Sequence, residues 1–194
     1  MTRSADDLET RAALPEDLRV LLADYPRRIW GAHPNFGPTT RFYLDRHAMF
    51  REAFAVMRRL VAESLDAPRP SERVGRDLSR VGGFFLQELH THHSVEDHHY
   101  FPALMRLEPR LVRGFEILDR DHHALHDALD RFAAAANGAL SALAPGAGGD
   151  PKRAFSALDR ELSRFDPMLD RHLSDEEEIV IPIMLDRGEA ALGL

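Results

Sequence analysis

The 194-residue chain has no cysteine, which removes disulfides, iron–sulfur clusters, thiolate zinc sites and cysteine nucleophiles in one step. Any metal it holds must be bound through nitrogen and oxygen. Long apolar runs are missing as well. No stretch approaches the roughly 18 residues needed to span a bilayer, and Met1 to Asp7 lacks the basic-then-apolar order of a signal peptide. The expectation is a cytoplasmic protein with no membrane partner. A basic patch is also absent: 25 basic side chains are outnumbered by 32 acidic ones, a net charge of −7, and are interleaved with them. Nucleic acid is therefore not an expected partner. Nor is there a period-two alternation that would make a strand. At this length one domain with a full core suffices.

What the chain does have is apolar side chains stepping by three and four. Residues 5 to 24 read as one or two short helices, with Pro15 and Glu16 opening the second, and carry no evident chemistry. Trp30 to Pro38 (WGAHPNFGP) reads as loop, and Thr39 or Thr40 can cap a helix beginning there. This first long helix, about 39 to 66, places Tyr43, His47, Phe50, Phe54, Met57 and Val61 on one stripe. Ser71 caps a second, running to about Pro102, with Val74, Leu78, Val81, Phe85, Leu89, His92, Glu96, His99 and Ala103 in line. Pro109 starts a third through Phe115, Leu118, His122, His126, Leu129 and Phe132. Asp150-Pro151 opens a fourth through Phe155, Leu158, Leu162, Phe165, Leu169, His172, Glu176, Ile179 and Ile183, in which Asp166-Pro167 predicts a kink or local break. Four long amphipathic helices with short connections argue for an all-α fold, an antiparallel up-and-down four-helix bundle over residues 37–190. Residues 1–36 form an N-terminal helical extension and loop ahead of it.

Each stripe is interrupted by groups that an apolar core does not tolerate. His92 and Glu96, His122 and His126, and His172 and Glu176 are all spaced i,i+4, about 40° apart on one helix face. His92, Ser94, Glu96 and Pro102 recur as His172, Ser174, Glu176 and Pro182 at the same spacing, so the second and fourth helices look like copies of one unit. With His47, the inward set is five histidines and two carboxylates. A buried, unpaired carboxylate costs several kcal/mol or is neutralised; a metal resolves that conflict. Imidazole with carboxylate favours iron or manganese over calcium or magnesium. His90, His93 and His98 fall off the stripe and read as exposed or supporting groups, and His33 is assigned no role. Asp97, Asp121, Asp175 and Glu178 read as solvated charges, with Asp121 able to orient an imidazole.

On these motifs, one histidine on the first helix, H-x3-E on the second, H-x3-H on the third and a histidine followed by a carboxylate on the fourth, the chain resembles the hemerythrin-like, HHE cation-binding proteins. The resemblance runs from about His47 to Pro182. It implies a four-helix bundle around two non-haem iron ions, with manganese or zinc as substitutes. Terminal ligands would be the histidines, and Glu96 and one carboxylate of the last helix would bridge. Oxygen-carrying hemerythrins place that carboxylate five residues after its histidine, which here is Glu177, whereas the repeat and the stripe favour Glu176; Glu176 is the expected bridge and Glu177 its substitute. The implied partner is O2 or another small species such as nitric oxide or peroxide, or iron itself, bound or sensed without turnover. The alternative is an enzyme that decomposes peroxide, or a ferritin-like iron oxidase read from Glu96-x-x-His99, although the fourth helix has no histidine at 179. A metal-free helical interaction protein would leave Glu96 and Glu176 buried without partners.

Overall fold

The computed structural model describes residues 6–68, 70–144, 146 and 148–193, and every regular element among them is helical. Six α-helices succeed one another: α1 (Val20–Asp24), α2 (Pro38–Asp66), α3 (Glu72–Val95), α4 (Phe101–Leu107), α5 (Val112–Ser141) and α6 (Pro151–Arg187). Short 3-10 turns stand at Glu16–Leu18, Arg27–Ala32, Pro109–Leu111 and Glu189–Leu192. The all-α class expected from the stripes is therefore what the chain adopts.

Helix ends obey local chemistry. The Ser71 hydroxyl accepts from the Val74 amide at 3.3 Å, and the Asp150 carboxylate from the Lys152 amide at 2.9 Å, as N-caps do. The cap of α2 differs from expectation. Thr39 and Thr40 lie inside the helix, and both of their amides donate to the carboxylate of Glu189, at 3.2 and 2.6 Å. A side chain at Gly37 would collide with that carboxylate. At Pro167 the helix does not break: α6 continues through it to Arg187. One missing N–H is outweighed by burial of Phe165, Met168 and Leu169 around it.

The chain divides into two compact units. One takes in the described residues of 1–48, 92–124 and 168–194, the other those of 49–91 and 125–167. In the first, Leu14, Leu18 and Trp30, which precede α2, share a buried cluster with Tyr43, Phe101, Leu104, Phe115, Leu118, Ile179 and Ile183. A Cβ at Gly114 would stand 2.6 Å from the Ile179 side chain, so glycine lets α5 and α6 approach closely there. The second unit is built on phenylalanine. Phe85, fully buried, meets Phe50, Phe54, Phe132 and Phe165 at ring-centre distances of 6.2, 5.8, 6.4 and 6.0 Å, mostly edge to face.

Between α3 and α4 the backbone is wound as a π-helix over Glu96–Tyr100, where the Phe101 amide donates to the Glu96 carbonyl, five residues back. The His98 ring donates from Nδ1 to the Ser94 carbonyl at 2.7 Å here. The extra residue in the turn rotates everything beyond Glu96 by about 100°. His99, expected on the stripe, is consequently exposed, while Tyr100 is half-buried.

This architecture predicts the outcome of two substitutions. Phe85→Ala should lower unfolding free energy by about 3–5 kcal/mol, read from chemical denaturation at constant m-value. The second concerns Glu108, whose carboxylate accepts from Arg110 Nε and Nη2 at 2.6 and 2.7 Å and from Arg187 Nη2 at 3.3 Å. The Arg110 hydrogen bond, against the opposing effect of burial, brings this carboxyl down from 4.5 to about 2. A lowered folded-state value stabilises the fold above pH 4.5, and that contribution disappears as pH falls towards about 2. Glu108→Gln should accordingly flatten the acid limb of the stability curve across that window while lowering the neutral-pH plateau.

Candidate metal centre

Within the first unit, α2 brings His47, the last turn of α3 brings His92 and His93, the π turn brings Glu96, α5 brings His122, and α6 brings His172 and Glu176. None is more than 9 % exposed. Their ligand-capable atoms fall into two groups, His93, His122 and His172 in one and His47, His92, Glu96 and Glu176 in the other, with all atoms of a group within 4.8 Å of each other. The two carboxylates link the groups. Glu176 turns Oε1 to Nε2 of His172 and His122, at 2.9 and 3.3 Å, and Oε2 to Nε2 of His47 at 3.4 Å. Glu96 turns Oε1 to Nε2 of His92 at 3.3 Å and Oε2 to Nε2 of His122 at 3.7 Å. Four Nε2 atoms thus converge on two carboxylates.

The far sides of three of these rings are occupied. His122 Nδ1 lies 2.7 Å from Asp97, His47 Nδ1 3.1 Å from Glu177 and His172 Nδ1 3.4 Å from Asp121. A carboxylate accepting from Nδ1 fixes the orientation of each ring, so that once a cation takes the place of a proton at Nε2 the lone pair there faces inward, as a metal ligand requires. Tyr43 donates its hydroxyl to Glu96 Oε1 at 2.6 Å.

Electrostatics shows the strain of this arrangement. Burial, helped by the neighbouring Glu176 charge, pushes the Glu96 carboxyl well above the usual carboxylate range. Glu176 goes the other way: burial opposes its charge, but His172 and His122 overcome that and hold it well below 4.5. Burial lowers His92 and His93 well below 6.5, reinforced by adjacent imidazoles. His122 is driven down by burial but more strongly up by Asp97 and Glu176, to about 10. His172 is raised despite burial, by Glu176 and Asp121. Oxygens Glu96 Oε2 and Glu176 Oε2 are buried and accept no hydrogen bond, a costly state for a carboxylate. A cation between the two histidine groups would satisfy both, and the nitrogen and oxygen donors suit a divalent metal of iron or manganese type.

The hemerythrin HHE cation-binding domain family matches the chain over residues 39–184, most of its length. The chain belongs to that family. No curated protein and no solved structure matches it. Cation binding, the property the family is described by, agrees with the two histidine and carboxylate groups. Among the described residues, no helix is long and apolar enough to cross a membrane.

Of the eight residues singled out from the sequence of this hemerythrin domain, the structure brings together His47, His92, Glu96, His122, His172 and Glu176. Glu177 stands outside them, on the Nδ1 side of His47. His126 belongs to the other unit, its ring 5.5 Å from that of His90. His93, which the stripe excludes, is 1 % exposed, and its ring stacks on His122 at 4.0 Å. An apolar helix face is about 100° wide, so it admits two adjacent residues, and the doublet His92-His93 was the available signal. Asp175, read as solvated, is fully buried. Asp121 orients His172 as anticipated. The largest omission is Arg11, from a segment read as carrying no chemistry: its guanidinium reaches Asp121 and Asp175. Contacts across 110 and 164 residues leave no periodic trace in a single sequence.

In this family the role of each group can be separated by substitution. Glu176→Gln should abolish metal retention through gel filtration, whereas Glu177→Gln should keep the metal content and loosen it about tenfold, measured by elemental analysis and by competition with a chelator.

Proposed function

We propose that this hemerythrin domain holds two iron ions inside an antiparallel four-helix bundle over residues 37–190 and uses them to bind or sense a small oxidant such as O2, nitric oxide or peroxide. The supporting observation is that Glu96 and Glu176 each turn one oxygen to the His47 and His92 side and the other towards His122 or His172. Such carboxylates suit a bridge between two cations, with His47 and His92 on one and His122, His172 and His93 on the other. Manganese or zinc fits the same donors. When bound, iron supplies a redox-active Lewis acid. The chain's own groups do the rest: the imidazoles hold Nε2 inward, and the Tyr43 hydroxyl steadies Glu96.

The burial of every donor supports a small ligand, since none is more than 9 % exposed. The enzymatic reading has one observation of its own. Asp97, with its side chain 28 % exposed, touches His122 Nδ1 and offers a proton route from solvent to the centre.

Protein loaded anaerobically with iron(II) should contain about two ions per chain; one ion or none overturns the dinuclear reading. His93→Ala should lower that content and His126→Ala should leave it unchanged. Stopped-flow mixing of the reduced protein with O2 should give a spectrum that reverses under vacuum. Sustained loss of added peroxide over many turnovers would instead establish the enzyme.

A further inference from the structure

The segment ahead of α2 sends two guanidinium groups to the outer side of the metal centre. Arg11 has a side chain 1 % exposed. It reaches both oxygens of Asp121 with Nη1 and Nη2 and donates from Nε to Asp175 at 2.8 Å. Asp121 Oδ2 is the atom that faces His172 Nδ1. Arg27 repeats the arrangement: Nη1 lies 2.5 Å from Glu177 Oε2, and Glu177 Oε1 faces His47 Nδ1. The order arginine, carboxylate, imidazole is the same in both, and the two chains end on histidines of the two different ligand groups.

Neither arginine is placed by accident of packing. A buried guanidinium carries a desolvation penalty of several kcal/mol unless its hydrogen bonds are met, and Arg11 is met on every nitrogen, including by the Asp6 carbonyl at 2.8 Å. The two-pronged contact fixes the plane of the Asp121 carboxylate in a way a single ammonium does not. Arg27 is steadied differently: it lies over the Trp30 ring at 4.9 Å, and Trp30 is itself held by donation to the Tyr25 carbonyl at 2.7 Å. Both carboxylates therefore face a cation on one side and an imidazole on the other, which limits their negative charge at the ring.

We propose that the N-terminal segment is part of the metal centre, with Arg11 and Arg27 as positioning residues that hold Asp121 and Glu177 against His172 and His47 and so set how firmly, and in which oxidation state, the centre keeps its iron. The inference rests on the dinuclear reading above. Guanidinium compensation makes each carboxylate a weaker acceptor and each imidazole a less electron-rich ligand. That favours the lower-charged iron(II) state. Loss of an arginine leaves an uncompensated carboxylate, which favours iron(III) and loosens the ring.

The test uses the full chain loaded with iron(II), as wild type, Arg27→Gln, Arg27→Lys and Arg11→Gln. The readouts are release of iron(II) to a chromophoric chelator and the midpoint potential from spectral titration. Arg27 has a side chain 44 % exposed, so its variants keep the fold even where Arg11→Gln does not. The expected result is release about tenfold faster in Arg27→Gln with a lower potential, and partial recovery of both in Arg27→Lys. Wild-type release and potential in Arg27→Gln overturn the proposal while leaving the dinuclear reading intact. A wild-type chain that takes up no iron overturns both.

Discussion

Two carboxylates buried among imidazoles are the constraint on which the rest of this structure depends. Glu96 and Glu176 are at most 1 % exposed, and their titration moves in opposite directions because both cannot carry charge in so small a volume. Everything around them answers that conflict in part. The imidazoles turn Nε2 towards them, Tyr43 donates to one of them, and a second ring of acids, Asp97, Asp121 and Glu177, keeps three of the imidazoles facing inward. Beyond that ring come the arginines. The site is a series of alternating charges running outward from the centre, each layer stabilised by the next.

Sequence periodicity carried much of this because helical geometry is local. The i,i+4 pairs at His92 and Glu96 and at His172 and Glu176, and the single His47 on an aromatic stripe, report on which side of a helix each residue stands, and that property is set within a few residues. The all-α class came from the same signal, and the caps at Ser71 and Asp150 from side-chain chemistry one turn away.

The features that stayed hidden depend on distant segments or on a departure from the regular step. Extending the α-helical register past Glu96 put His99 inward, because nothing in the stripe announces the extra residue that the π turn inserts. A stripe is a line, whereas the buried face of a helix is an arc, and His93 lies on that arc beside His92. Spacing favours Glu176 over Glu177, but both are buried, and what each carboxylate meets, His172 and His122 for one and Arg27 and His47 Nδ1 for the other, is set by other segments. Arg11 and Arg27 precede the family match altogether, and Glu189, which caps α2 from the far end of the chain, lies beyond it.

The π turn separates two tasks that one unbroken helix would tie together. Phe101 and Leu104, just past it, are anchored in the apolar cluster, and an α-helical connection would let that anchorage dictate the direction of Glu96. With the register broken between them, the aim of the carboxylate and the seating of the next turn become independent variables. A lineage could retune one by substitution without disturbing the other, much as a swivel lets a rod be fixed at one end and pointed at the other.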